Sequence, residues 1–258
     1  MVDHQFADAG LAALYDRFHP WESRGDVSFY LPHVLAARSV LDIGCGTGLL
    51  LHRARDAGHT GRLCGLDPAT GMLERARRRS DVEWVQGDLE TVDWRGEFEL
   101  AVMTGHAFQV LVADEQLRAA LAAVRQLLTE DGRFAFETRN PAARAWERWT
   151  PENSSTTRAA DGTPVRMEHR VLSPAPGEPL DRTVTFSTTF SGPDGRAEER
   201  SRSTLRFLDA PELDAFLAEA GLEVVERFGD WDGSPFDPEH SPEIIVFARR
   251  GERAPSRP

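Results

Sequence analysis

The stretch Val40–Gly48, reading Val-Leu-Asp-Ile-Gly-Cys-Gly-Thr-Gly, constrains the fold of this chain more than any other. Val40, Leu41 and Ile43 lead into a turn with glycine at every second position, and Leu49, Leu50 and Leu51 open a helical pattern. Strand, glycine-rich turn and helix thus follow in immediate succession. Glycine is needed where the backbone turns sharply or must let a ligand come close, because it carries no Cβ. In open parallel sheets a ligand sits beyond the carboxyl ends of the strands, which is where this turn falls.

The rest of the chain repeats the alternation. Ahead of the turn, residues 7–18 have helical spacing, with Leu11, Leu14, Tyr15 and Phe18 near one face, and His19-Pro20-Trp21 ends the run. A second helix is predicted over 27–37. Beyond the turn come a helix at 49–57, a strand at 61–66 closed by Asp67-Pro68, a helix at 70–79 and a strand at 82–86 followed by Gly87-Asp88-Leu89. A fourth strand at 98–103 runs into Thr104-Gly105-His106. Asp114 is read as the cap of a helix with the apolar face Leu117, Leu121, Val124 and Leu128, stopped by Gly132, and 133–138 is a fifth strand. Strands alternating with helices in this way predict an α/β fold, a parallel sheet covered on both faces.

The pattern breaks after Pro141. A short helix over 141–149 carries Trp146 and Trp149, and 150–163 is polar and turn-rich. Strand-like runs at 165–172, 182–190 and 198–207 are separated by Pro-Ala-Pro-Gly at 174–177 and Gly-Pro-Asp-Gly at 192–195, which reads as an inserted antiparallel sheet. A helix at 210–220 resumes the alternation, with Asp209 and Glu212 at capping-box spacing, and strands at 222–228 and 243–248 finish it. The expected division is a helical cap at 1–38, a core made of 39–149 and 205–250, a β-rich insertion at 150–204 and a disordered tail at 251–258.

Composition removes several chemistries. The chain has 258 residues, enough for one large domain or a domain with an insertion. A net charge of -12 argues against binding a phosphate backbone as the main activity. There is no lysine, so all 30 basic side chains are arginine, which excludes a lysine Schiff base and a P-loop. Two cysteines, Cys45 and Cys64, are too few for a disulfide framework or a structural zinc site, and the histidines show no metal spacing. Met1-Val2-Asp3-His4 does not read as a secretory signal, and no apolar run nears the roughly 20 residues that span a bilayer. A cytoplasmic protein with no metal, no membrane contact and no nucleic-acid partner is expected.

The turn itself does not suit a dinucleotide. That fingerprint wants glycine at the first, third and sixth positions, whereas here Gly44 and Gly46 match, Leu49 holds the sixth and Gly48 comes one residue early. An acid still ends the second strand, Asp67, where a carboxylate can accept both hydroxyls of a ribose. Asp42-Ile43-Gly44-Cys45-Gly46-Thr47-Gly48, then Asp67, then Gly87-Asp88, resembles the class I S-adenosylmethionine-dependent methyltransferases. The resemblance covers 40–139 well and 205–249 in outline. It implies a Rossmann-like sheet of parallel strands with a terminal antiparallel hairpin, here carrying the inserted sheet. It also implies S-adenosylmethionine as cofactor and S-adenosylhomocysteine as product. The turn, Asp42, Gly44, Gly46 and Gly48, would approach the methionine part, and Asp67, followed by Pro68, would take the ribose. Asp88 with the Leu89 backbone would take the adenine edge, Met72 would pack on the ring, and Thr104 closes the cofactor set at the end of the fourth strand.

The methyl acceptor is less marked. Thr104-Gly105-His106-Ala107 stands where nucleic-acid amino methylases have an Asp/Asn-Pro-Pro-Tyr/Phe element, and neither cysteine follows a proline as cytosine carbon methylation requires. A small molecule fits better, with nitrogen preferred to oxygen. His106 lies on the ligand edge and can take a proton there. The early Tyr15-Asp16, the Gly105-His106 pair and the insertion after the fifth strand are similar in layout to sugar N,N-dimethyltransferases, and glycine-type N-methyltransferases share part of it. By that resemblance Tyr15 and His106 are the catalytic candidates. Tyr30, Trp21 and Arg139 are the substrate-side candidates, Arg139 as a clamp for a carboxylate or phosphate. The acidic, proline-rich link 228–241 falls on the ligand edge with Trp231, Asp232 and Phe236, and its composition favours a solvated loop over a part of the site. Two other functions use the same features: a cofactor-binding regulatory or assembly partner that transfers nothing, or a cyclase on the same scaffold. The exposed strand edges of the insertion also suit a homodimer.

Overall fold

In the computed structural model, which describes residues 2–175, 180–195 and 197–251, the glycine turn joins strand β1 (Ser39–Ile43) to helix α4 (Leu49–Asp56), as its sequence demands. Before it come α1 (His4–Ala7), α2 (Ala9–Phe18) and α3 (Gly25–Ala36). After it come β2 (Arg62–Asp67), α5 (Thr70–Ala76), β3 (Glu83–Gln86), β4 (Phe98–Met103), α6 (Asp114–Leu127) and β5 (Leu128–Arg139). Short 3-10 turns over 141–153 lead to β6 (Ser155–Arg158), β7 (Pro164–Ser173), β8 (Thr183–Ser191) and β9 (Ala197–Arg206), and then to α7 (Ala210–Glu219), β10 (Leu222–Phe228) and β11 (Glu243–Arg250).

Among the described residues the strands form two sheets. The central one has the order β10-β11-β5-β4-β1-β2-β3, with β11 antiparallel to both of its neighbours. The chain moves outward from β1 to β3 on one side and returns through β4 on the other. The β1/β4 junction is therefore the switch point, where a crevice opens beyond the strand ends. Leu41, Phe134, Phe136 and Ile244 bury one face under α6 and α7, and Val40, Leu100, Val102 and Phe247 bury the other under α3 and α4. The second sheet has the order β6-β7-β8-β9. Along β8 the residues alternate between buried and half-buried, the period of a strand with one covered face. Val165, Met167 and Phe190 of this sheet pack on Leu11, Leu14 and Phe18, so α2 is held between the insertion and the core.

The structure corrects some boundaries. The first helix breaks at Asp8, whose carboxylate caps α2 by accepting from the Leu11 N–H at 2.9 Å. Asp114 is the first helical residue of α6 rather than its cap, and its carboxylate takes Arg206 at 2.5 Å instead. Gly132 does not stop that helix. It lies inside β5, where a Cβ would sit 2.9 Å from the Phe98 carbonyl, next to a register shift between β4 and β5. The turn-rich 150–163 region hides an additional strand, β6. The capping box is present as expected, with Asp209 accepting from Glu212 N–H at 2.9 Å. Residues 252–258 of the expected tail and part of the 174–177 turn lie outside the described residues.

Candidate active site

The turn after β1 is held by its own neighbours. Gly44 and Cys45 N–H donate to the Leu66 carbonyl at 2.8 and 3.1 Å, and Gly46 N–H donates to Asp67 Oδ2 at 2.8 Å. Gly44, Gly46 and Gly48 all have positive φ, at 73°, 55° and 79°. The reasons for glycine differ. A Cβ on Gly48 would fall 2.4 Å from the Trp84 ring, which also lies against Gly65, whereas a Cβ on Gly46 would meet nothing within 4 Å. The turn is packed from below at Gly48 and open at Gly46.

Two buried acids border that opening. Asp42, 1 % exposed, ends β1, and its Oδ1 has no hydrogen-bond partner. Burial, reinforced by the charge of Asp67, pushes its pKa up to about 7. Asp67 receives the N–H groups of Ala69 and Gly46, which oppose the upward push of burial. Each of its oxygens keeps a second lone pair for a ligand hydroxyl. An orphaned buried carboxylate oxygen and a glycine cradle facing open space fit the amino-acid and ribose parts of S-adenosylmethionine. Asp88 is exposed at the end of β3, its Oδ1 turned to the Glu90 N–H at 3.1 Å, with Leu89 buried beside it. Thr104 is buried at the end of β4, and Pro68 is exposed. Met72 is 2 % exposed and packs with Ala12, Phe6 and Tyr15, so α1 and α2 cover the start of α5. Thr47 donates to Asp16 Oδ1 at 2.6 Å and Arg75 donates to Asp16 Oδ2 at 3.2 Å, which ties α2 to the turn and sets Tyr15 beside it.

A second polar group stands beside the turn. Tyr15 packs against His19, ring centroids 4.8 Å apart, and burial raises its pKa. Arg24 lies between it and the end of β4. Its guanidinium has a charge that opposes the effect of burial on the Tyr15 phenol, forks onto Asp26 at 2.8 and 2.5 Å, and lies 3.1 Å from the position of a Cβ on Gly105. Burial pushes Asp26 up, and the Arg24 fork overrides it, so the carboxyl titrates below its ordinary range. His106 follows Gly105 with φ 63°, an uncommon conformation for a residue with a side chain. Its N–H donates to Glu137 Oε1 at 2.6 Å, and its Nε2 stands 3.1 and 3.0 Å from the two oxygens of Glu243. Burial lowers the His106 pKa, Arg139 adds to the effect and Glu243 opposes it. Glu137 is fully buried, and burial with the nearby charge of Asp26 raises its pKa to about 8.

The sequence-derived candidates do not all gather here. Tyr15 lies within the influence of Arg24, whose guanidinium reaches Gly105 next to His106. Tyr30 is fully buried and spends its hydroxyl on Glu137 Oε2 at 2.8 Å, so it acts on Glu137 and presents no surface to a substrate. Trp21 lies under the Arg53 guanidinium on α4, 4.4 Å from ring to cation, which is a packing role. Arg139 donates to Gln109 Oε1 at 2.7 Å and lies over the Trp149 ring at 5.3 Å. The link between β10 and β11 is not simply solvated. Trp231 packs against Gly25, Tyr30 and the edge of His106, while Asp232 remains in solvent. Arg24, Asp26, Gln109 and Glu243 were not singled out from sequence. The available signal was an Arg-x-Asp spacing for the first two and, for Glu243, an acid heading the otherwise apolar run Ile244–Phe247. Among the described residues, no cluster of three or more His, Cys, Asp or Glu is placed to hold a metal ion. Among the same residues, no helix is long and apolar enough to cross a membrane.

Comparison with known proteins agrees with this geometry. Residues 40–132 match a family described as a methyltransferase domain. Malonyl-[acyl-carrier protein] O-methyltransferase of Anoxybacillus flavithermus is 32% identical over 150 residues, 54% of this chain, and the chain spans about half of that relative's length (54%). Cypemycin N-terminal methyltransferase of a Streptomyces species is 28% identical over 84% of this chain and 85% of its own length. Glycine/sarcosine N-methyltransferase of Parasynechococcus marenigrum is 27% identical over 84% of this chain and 76% of its own. Among solved structures, the CcbJ methyltransferase of Streptomyces caelestis has the same fold, with a TM-score of 0.72 at 22% identity over 95% of this chain and 99% of that one. Glycine turn, acidic strand ends and the methyltransferase-domain match over 40–132 agree, and the chain has the fold of the class I S-adenosylmethionine-dependent methyltransferases.

Proposed function

We propose that this protein transfers the methyl group of S-adenosylmethionine to a nitrogen of a small-molecule acceptor, with oxygen the less favoured atom. The observation that carries this reading is the juxtaposition at the sheet's carboxyl edge. Open Gly46 and orphaned Asp42 lie by the turn after β1, Tyr15 stands next to Asp16, which binds that turn, and His106 follows the end of β4, with Arg24 near Gly105 between them. Asp67 binds the ribose and Asp88 with Leu89 the adenine edge, while Gly44, Gly48, Met72 and Thr104 shape the cleft between them. The bound sulfonium supplies both the electrophilic methyl and the leaving group.

The chain's own work is alignment and a proton. Holding two reactants in line is worth roughly 7–11 kcal/mol in favourable cases. A protonated amine has no lone pair to attack with, so a base must take its proton first. Burial keeps His106 below the ordinary histidine range and therefore neutral at physiological pH, able to accept that proton. Tyr15, raised by burial, stays protonated and serves as a hydrogen-bond donor to the acceptor. Arg139 offers the rest of its guanidinium to an anionic group on the acceptor. Nitrogen is favoured over oxygen because a relative aligned over 84% of the chain is named a glycine/sarcosine N-methyltransferase, and another aligned over 84% is named for methylation at an N-terminus. The O-methyltransferase match reaches only 54% of the chain.

Incubation with methyl-labelled S-adenosylmethionine and a metabolite extract, alongside amino acids and amino sugars, tests the reading. Label is expected in a small-molecule amine, and His106→Ala and Tyr15→Phe are each expected to cut turnover about 100-fold while donor binding persists. Label found only in protein or nucleic acid, or a donor bound and recovered intact, contradicts it.

A further inference from the structure

His106 is gripped by two carboxylates from two different strands. Glu137 of β5 accepts the backbone N–H at 2.6 Å and is itself fixed by the Tyr30 hydroxyl at 2.8 Å. Glu243, the first residue of β11, meets Nε2 with both oxygens at 3.0 and 3.1 Å. The backbone grip holds a residue at φ 63°, a conformation unfavourable for a side chain that persists only where the surroundings impose it. In register, Glu243 stands opposite Arg139, the cross-strand neighbour with which an ion pair would be expected. Arg139 turns instead to Gln109 Oε1 and the Trp149 face. The Glu243 carboxylate is left to the imidazole.

We infer that Glu243 is a positioning residue that fixes His106 as the Nε2–H tautomer and so presents Nδ1, the ring nitrogen with a lone pair, as the base for the acceptor. The inference rests on the methyltransferase reading and says which atom of the site does the chemistry. A carboxylate accepts hydrogen bonds and donates none, so the nitrogen facing Glu243 must carry the hydrogen. When an acceptor ammonium gives up its proton, the N–H bond breaks and the pair stays on the acceptor nitrogen. The proton goes to Nδ1, and the imidazolium that results is balanced by Glu243 at Nε2. The charged and titratable groups facing the ring are Glu243 from β11, Arg139 and Glu137 from β5, and Asp26 with Arg24 from the start of α3.

Nitrogen-detected titration of the 15N-histidine-labelled full chain tests this without knowing the acceptor. His106 signals are assigned by their loss in His106→Asn. In the wild type the neutral ring is expected as Nε2–H with a bare Nδ1. Glu243→Gln should lower the His106 titration midpoint by about 1 pH unit or more, because the main group supporting the charged ring is gone, Asp26 alone continues to favour the charge, and burial and Arg139 remain. Glu243→Asp, which restores the charge on a shorter arm, should recover part of that fall. A wild-type ring found as Nδ1–H, or a midpoint unmoved in Glu243→Gln, overturns the assignment. Calorimetry of the same samples with S-adenosylmethionine reads the underlying function separately. Glu243→Gln should bind the donor as the wild type does, and a wild type that fails to bind it sinks the methyltransferase reading and the inference together.

Discussion

Gly46 and Gly48 lie two residues apart in one turn and are glycine for different reasons. Alanine at either must adopt a left-handed backbone, at a cost of about 1–2 kcal/mol. At Gly48 the new methyl also enters the Trp84 ring, whereas at Gly46 it projects into open space. Gly48→Ala should therefore lose stability beyond the backbone cost, seen as a clear fall in melting temperature. Gly46→Ala should stay close to the backbone cost and weaken S-adenosylmethionine binding about tenfold or more, the equivalent of ~1.4 kcal/mol. Calorimetry and thermal melts on both variants separate the two effects, and equal affinities would contradict the placement of the donor. Glu137 supports a pH prediction. Its folded pKa is raised to about 8 against an unfolded value near 4.3, so between these limits the native state holds a proton that the unfolded chain has released. Stability then falls as pH rises through that window. In Glu137→Gln this contribution is absent, and melting temperatures taken from about pH 5 to about pH 8 should decline less than in the wild type. Equal slopes would mean that Glu137 is ionised in the fold.

Elements were legible in the sequence where a local rule and the tertiary structure agree. The β1–turn–α4 unit announced itself because its glycines satisfy local geometry and ligand approach at once. The Asp209–Glu212 box likewise marked the start of α7. The reading was less exact where a strand carries a bulge. Thr129-Glu130-Asp131-Gly132 has turn composition and pairs with neither neighbour: it bulges between the Leu128 and Arg133 pairings within the span of β5. Site residues divide in the same way. Asp42, Asp67 and His106 sit at strand ends that periodicity can find, whereas Glu243 acquires its role from a partner 137 positions away. Asn140 is another such case. Its amide donates to the Pro238 and Ser241 carbonyls at 3.0 and 2.8 Å, stitching the end of β5 to the link that carries Trp231. Asn140→Ala should cost about 2 kcal/mol by leaving those buried carbonyls unmet. Amide exchange across 229–242 should quicken, and exchange unchanged there would show that the stitch does not hold the link.

At the scale of the whole molecule, the proposed function assigns the donor to the carboxyl edge of the parallel sheet and the acceptor to the additions around it. Helix α2 is pinned to the glycine turn through Asp16 and to the inserted sheet through Leu11 and Phe18. Tyr15 is thereby held between donor turn and insertion. The terminal hairpin brings Glu243 and Trp231 to His106 from the opposite side. The central claim, that His106 takes the proton of an amine before methyl transfer, has a direct measurement. With the acceptor identified by labelling, single-turnover transfer is followed for the wild type and His106→Ala across a pH series that brackets the acceptor's own pKa. The deficit of His106→Ala should be large where the amine is protonated and shrink as rising pH removes that proton without help. A deficit that stays constant across the series would show that His106 takes no proton from the acceptor.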